Sequence, residues 1–439
     1  MRRGLENELM AWKQRAERLP ILLRGARSVG KSTLIENFGR DHFEQVLSVN
    51  FEEHPELKKC FESAEPLEIV KRLELHFQTK IISGCTLLFL DEIQDCPEAF
   101  SSLRQFKDFL PELHLIAASS YRDLVRESER LKFPLSGLEF FYLRPLSFQE
   151  FLHLVSPLAA EKLSHNDCKT GLMKGDHEEL LTWVRTYLFV GGMPSAVSVY
   201  LSTRSLLDVQ KEHRKILQTY ETALRKSASR LQQKHLDTLL DNIPKLIGKV
   251  LKYVQIAPEI RSRSLKATLS LLVNAGLIHQ AFASLANALP LHLEMSDQRF
   301  KLFFLDVGLL QTVCQVNSQH LLSQSIFRIQ EGMLAEQFAA QELLSYEPMK
   351  QNRPLFYWER GSGKMAEVDL VHGVGERVVA IEVKRGKTGT LRALKSFMHL
   401  KQSQLAVRIS EEPVQLHDQI LSVPFYLLSK LRECISCNM

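Results

Sequence analysis

The chain has 439 residues, 45% hydrophobic and 24% charged, with a net charge of +5. These are globular proportions and exclude a disordered, collagen-like or disulfide-dense chain, while the length suggests two to four domains. No window reaches the ~18 continuous apolar residues of a spanning helix. The charged start, Met1-Arg2-Arg3-Gly4-Leu5-Glu6, has no apolar secretory core. A cytoplasmic protein that does not cross a membrane is the expectation. The seven cysteines (60, 85, 96, 168, 314, 434 and 437) are scattered and odd in number, which predicts reduced thiols. The Cys434-Ile-Ser-Cys437 pair reads as free tail thiols rather than a zinc site.

Residues 5–18 have helical periodicity and end before Pro20. Five short apolar runs follow, at 21–23, 46–51, 86–90, 113–118 and 140–143, separated by helical or mixed segments. That alternation predicts an α/β fold with a parallel sheet covered on both faces. Beyond Pro145 the pattern turns helical. Residues 164–178 are polar and read as a loop or lid insertion, and 178–226 as helices interrupted at Gly191-Gly192-Met193-Pro194. Residues 244–282 read as helix, turn, helix, strand, and 326–346 as a helix. A period of two returns at 355–358, 367–371 and 378–384. A helix near 390–401 and strands at 404–409 and 424–428 complete the pattern.

Gly25-Ala26-Arg27-Ser28-Val29-Gly30-Lys31-Ser32 matches G-x-x-x-x-G-K-[ST], with a strand before it and a helix from Thr33 onward. Glycines let the backbone N–H groups curl toward phosphates, and the helix N-terminus adds partial positive charge. Lys31 would meet the β- and γ-phosphates of ATP, and the Ser32 hydroxyl would ligate Mg²⁺. The run Leu87-Leu88-Phe89-Leu90-Asp91-Glu92 supplies the complementary half. Asp91 would hold the Mg²⁺ shell and Glu92 would polarise the attacking water. No N-K-x-D guanine signature is present. The run 113–118 ends in Ser119-Ser120, either of which could sense the γ-phosphate; the bland alternative is turn serines.

The charge is uneven. Residues 225–266 carry ten Lys/Arg against three acids, a balance of +7, which leaves −2 for the remainder of the +5 chain. This stretch reads either as a polyanion contact, such as DNA, or as a solvated helical face. Arg261, Arg263 and Lys266 fall at the start of the second helix of the helix-turn-helix-strand segment, where a groove-reading helix makes contacts.

Asp369 closes one C-terminal strand, and Glu382-Val383-Lys384 lies on the next. Glu382 and Lys384 share a strand face. Two carboxylates there could hold Mg²⁺, with Lys384 stabilising or activating a water. Glu336, on the preceding helix, would be a further acidic metal ligand. Alone, E-x-K is common on exposed strands.

Together these segments resemble the prokaryotic AAA-like P-loop ATPases with a C-terminal restriction-endonuclease-like domain of unknown function. The resemblance rests on GARSVGKST (25–33), LLFLDEIQ (87–94), RPLSFQEFL (144–152), YLFVGGMP (187–194), FKLFFLDVGLL (300–310), EGMLAEQFAAQELL (331–344), AEVDL (366–370) and AIEVKRGKTG (380–389). It implies an ATPase core at 1–155, a helical lid at 156–225, a winged-helix-like basic segment at 226–320 and a restriction-endonuclease-like α/β domain at 321–439. The resulting expectation is an Mg²⁺-dependent ATPase coupled to a DNA-directed nuclease-like domain, with an oligomer left open. The alternative is a nucleotide-gated signalling or scaffold switch whose C-terminal domain binds a partner without catalysis. One position departs from the pattern: Leu138 follows Ser136-Gly137 where relatives usually carry an arginine. Arg122, Arg126 or Arg130 are candidate substitutes.

Overall fold

The computed structural model describes residues 3–120, 137–166, 168–169, 171–315, 331–360, 366–384 and 391–438. Arg122, Arg126 and Arg130 lie outside the described residues, as does the 385–389 end of the AIEVKRGKTG run. The chain divides into two units. The first comprises 1–144 with two short returns, 274–276 and 348–352; the second holds the rest.

The first unit is built on a five-stranded sheet in the order β2-β3-β4-β1-β5. Its strands are β1 (Ile21–Gly25), β2 (Gln45–Asn50), β3 (Thr86–Asp91), β4 (His114–Ser119) and β5 (Glu139–Leu143), all paired in parallel. These are the five apolar runs expected, and β3 and β4 are buried at every residue. Strands covered on both faces read as continuous apolar runs because neither face meets water. Leu138 is buried in one of the unit's hydrophobic clusters with Leu88, Leu90 and Leu115. The fold therefore gives that position to packing rather than to a charge.

The second unit has a helical region and an eight-stranded mixed sheet ordered β12-β13-β11-β10-β9-β8-β6-β7. Its strands are β6 (Ile278–Ser284), β7 (Met295–Phe304), β8 (Leu355–Glu359), β9 (Glu367–Val374), β10 (Arg377–Val383), β11 (Ala406–Ser410), β12 (Gln415–His417) and β13 (Ile420–Pro424). β6 pairs antiparallel with β7 and parallel with β8, so the hairpin of the basic segment and the C-terminal strands form one sheet.

Three local expectations are corrected. The last strand is Ile420–Pro424, and the apolar run at 425–428 is a 3₁₀ turn, Phe425–Lys430. A short run buried all round reads alike as strand or helix. Residues 247–252, expected as helix, lead through a turn into a bridge between Leu251 and Phe300. Cys168 and Cys434, 266 residues apart, are joined as a disulfide, whereas Cys60, Cys85, Cys96, Cys314 and Cys437 are free. Among the described residues no helix is long and apolar enough to cross a membrane.

Two of the motifs interlock within the second unit. Asp306 accepts hydrogen bonds from the N–H groups of Gly308 (2.9 Å), Leu309 (3.1 Å) and Gly192 (2.6 Å). A Cβ on Gly192 would collide with the Leu146 carbonyl, and the Tyr187 hydroxyl donates to that same carbonyl. The Gly191-Gly192-Met193-Pro194 turn thus lets two backbones and a buried carboxylate meet, a structural role.

Candidate functional site

The phosphate loop follows β1 and opens the helix Lys31–His42. Ser28 (φ 62°) and Gly30 (φ 91°) are left-handed, which curls the loop, and Gly30 caps the helix. Glycine reaches that backbone region without steric cost. Lys31 is buried, and its Nζ donates to the carbonyls of Gly25 (3.3 Å) and Ala26 (3.0 Å) and to Ser120 Oγ (2.8 Å). Ser120 in turn donates to Glu92 Oε1 at 2.6 Å. Ser32 Oγ donates to Asp91 Oδ2 at 2.5 Å. The geometry brings together Lys31, Ser32, Asp91, Glu92 and Ser120. Ser119, the last residue of β4, is fully buried, and Ser120 is the serine that bridges. Arg27 pairs with Glu52 at 3.2 Å, and Thr33 is exposed. Val29 is buried, while Ala26 lends its carbonyl to Lys31.

The electrostatics separate the two acids. Burial pushes the Asp91 carboxyl up, partly offset by the Ser32 hydrogen bond. Burial also acts on Glu92, but Lys31 and the Ser120 and Gln94 hydrogen bonds outweigh it and hold Glu92 below its ordinary value. Burial lowers Lys31 against the pull of Glu92 and Asp91. Glu92 sits at a left-handed φ of 49°, and its other oxygen accepts from Gln94 Nε2 at 2.5 Å. The pairing therefore keeps Glu92 ionised and aimed.

In the second unit, Arg261, Arg263 and Lys266 are exposed at the start of the helix Ser262–Asn274. Lys266 lies 3.5 Å from Asp297. Elsewhere in the basic stretch, Arg225 is already paired with Glu221 and Asp237.

The C-terminal acids are also neighbours, though with lysines among them. Lys301 Nζ lies 2.8 Å from Glu336, 2.6 Å from Glu367 and 3.8 Å from Asp369. Asp369 Oδ2 accepts from the Val383 N–H at 2.8 Å. Lys384 sits 3.1 Å from Glu382 Oε1, and Glu382 Oε2 is buried without a protein partner. Burial raises Glu336 and, aided by Asp369, Glu382. Burial works against Lys384, but Asp369 and Glu382 outweigh it and raise its ammonium. Lys301 was missed in the sequence; it lies inside the FKLFF run, but nothing in a strand pattern marks which lysine will be buried.

The two expected Mg²⁺ sites fare differently. Ser32 and Asp91 present a hydroxyl and a carboxylate side by side at the loop, a donor pair that fits Mg²⁺. Asp369, Glu382 and Glu336 do not fit one, because each faces an ammonium group. Among the described residues no group of three or more His, Cys, Asp or Glu is placed to hold a metal.

Residues 17–152 match the model of an AAA domain. The first unit carries an AAA-type P-loop ATPase core. Residues 181–320 match a domain of unknown function (DUF8612), and 331–428 match another (DUF4143). No curated protein matches the chain. Among solved structures it is similar to a Walker-type ATPase of Pyrococcus abyssi, at 14% identity and a TM-score of 0.45, covering 71% of this chain and 93% of that one. The ORC1 protein of Aeropyrum pernix, solved in complex with DNA, is 13% identical with a TM-score of 0.32, covering 72% and 93%. The RuvB Holliday junction branch migration motor of Thermotoga maritima is 16% identical with a TM-score of 0.29, covering 62% and 86%.

Proposed function

We propose that the protein is an Mg²⁺-dependent ATPase whose nucleotide cycle gates the second unit. The observation that carries this is the hydrogen-bonded line from Lys31 through Ser120 to Glu92. Lys31 supplies the buried charge for the β- and γ-phosphates, with the loop from Gly25 to Thr33 around them. Ser120 links that charge to the acid and responds to the γ-phosphate, with the buried Ser119 next to it in the chain. Glu92, held ionised, orients and deprotonates the attacking water. Ser32 and Asp91 would hold the Mg²⁺, which when bound would supply charge neutralisation at the phosphate oxygens.

For the second unit there are two readings. In one, a DNA-directed nuclease-like domain would need Asp369, Glu382 and Glu336 to exchange their ammonium partners for a metal, with Lys384 for the developing charge and Arg261, Arg263 and Lys266 for the DNA backbone. In the other, the domain binds a partner without catalysis. The Lys301 ion pairs at Glu336 and Asp369 favour the second. ATP turnover of the purified chain, with and without DNA, tests the whole. Turnover that DNA stimulates supports a DNA-directed effector, and ATP retained stoichiometrically without turnover supports a switch. Absence of both nucleotide binding and turnover overturns the proposal.

A further inference from the structure

Lys301 has 0% exposure in the interior of the second unit. A buried ammonium is stable only when charges and hydrogen bonds replace its water. Here the replacement comes from two elements: Glu336 on the helix Glu331–Ser345, and Glu367 with Asp369 on β9. The Asp369 carbonyl also accepts from Nζ at 3.4 Å. The Tyr357 ring faces the ammonium, its centroid 5.5 Å away. Gly248 closes one side: a Cβ there would stand 2.5 Å from Glu336 Oε2. Three carboxylates and a carbonyl converging on one point form the donor set of a hard divalent cation. Around the ammonium, Glu336 and Glu367 stand at 2.8 and 2.6 Å, N–H···O contact distances rather than the ~2.1 Å of Mg²⁺–oxygen bonds, and the Asp369 carboxylate stands farther off at 3.8 Å.

We propose that the Lys301 ammonium is the resident cation of the Glu336, Glu367 and Asp369 cluster, standing where the Asp369…Glu382-Val383-Lys384 pattern calls for a divalent ion, so that the cluster accepts Mg²⁺ or Mn²⁺ only once the ammonium is removed. The proposal rests on the reading of this domain as a module without turnover. Lys301→Met keeps the chain's bulk and deletes its charge. Three carboxylates are then left facing one another, a repulsion that a divalent ion relieves.

The experiment is a calorimetric Mn²⁺ titration of the nucleotide-free full chain. Wild type is expected to show the same heats as Asp369→Asn, with no site assignable to the cluster. Lys301→Met is expected to gain a Mn²⁺ site that Lys301→Met/Asp369→Asn lacks, and to unfold at a higher temperature with Mn²⁺ than without. Wild type binding Mn²⁺ in a manner lost in Glu336→Gln overturns the proposal, as does a folded Lys301→Met that gains no site. If Lys301→Met folds only when Mn²⁺ is supplied, the proposal is supported. If it folds under neither condition, the wild-type titration decides: binding at the cluster overturns the proposal and its absence supports it. Plasmid nicking read in parallel keeps the two ideas apart. Mn²⁺ binding by wild type at the cluster without nicking sinks the lysine proposal alone. Nicking by wild type that Asp369→Ala abolishes sinks the non-catalytic reading with it.

Discussion

Ser120 Oγ accepts from Lys31 and donates to Glu92, so one hydroxyl fixes both the buried cation and the acid. Ser120→Ala removes the bridge while leaving the charges in place. Its turnover is expected to fall by about tenfold, on the order of 1.4 kcal/mol of barrier, with ATP affinity nearly retained. Affinity and turnover measured together check this; unchanged turnover would show that the bridge is incidental. Glu92 is held below its ordinary value by Lys31 and its hydrogen bonds against the opposing effect of burial. Its proposed base function is therefore expected to survive acidification from neutrality into the ordinary glutamate range. A pH profile of turnover showing a step from this residue near neutrality would contradict the assignment. Of this site, the phosphate loop and the Asp91-Glu92 pair were legible in the sequence because their spacing encodes the chemistry. Which of Ser119 and Ser120 bridges was not, since that depends on how β4 ends beside β3.

The helix Glu331–Ser345 acts as a polar hub at the scale of elements. Gln337 accepts from the Phe304 N–H (2.7 Å) and donates to its carbonyl (2.8 Å). Gln341 accepts from Val307 N–H at 2.8 Å and donates to Asp306 at 3.1 Å, while Glu342 accepts from Phe148 N–H at 3.0 Å. Burial raises Asp306 to about 6 and Glu342 to about 8. Both values lie above those of an unfolded chain, roughly 4. The folded state then binds more protons than the unfolded one. These groups' stabilisation is full below about pH 4 and is lost as pH rises through 6 and 8. Thermal unfolding of the second unit is expected at progressively lower temperature from about pH 5 to 9. Glu342→Gln, which keeps an acceptor for Phe148, should flatten the upper part of that slope. Gly192→Ala drives a methyl into the Leu146 carbonyl and is expected to cost on the order of 3 kcal/mol, read as a lower unfolding midpoint. The capping box at Ser147 and Glu150 (3.2 and 3.0 Å) accounts for the start of the helix in the RPLSFQEFL run. That signal lies within four consecutive residues, although it was not singled out in the sequence. By contrast β7 begins exposed and ends buried, so no uniform alternation announced it, and the Cys168–Cys434 pairing spans too much sequence for spacing to reveal.

At the scale of the molecule, a parallel-sheet ATPase unit and a second unit with helices and a mixed sheet divide the charge unequally. Within the +7 stretch Arg225 is paired with Asp237, already counted in that balance, and with Glu221 just outside it. Arg261, Arg263 and Lys266 remain exposed on one helix start. Replacing all three with alanine is expected to weaken DNA binding and to reduce the slope of log affinity against log salt by about two to three units, near 0.9 per phosphate contact. Identical salt dependence in the variant would show a solvated face instead.

ATP hydrolysis by the first unit is the claim on which the rest stands, and single-turnover hydrolysis by Glu92→Gln tests it most directly. The variant is expected to bind Mg²⁺·ATP as wild type does and to hydrolyse it ~10²–10⁴ times more slowly, the usual share of a general base. Turnover by Glu92→Gln equal to that of wild type would contradict the account.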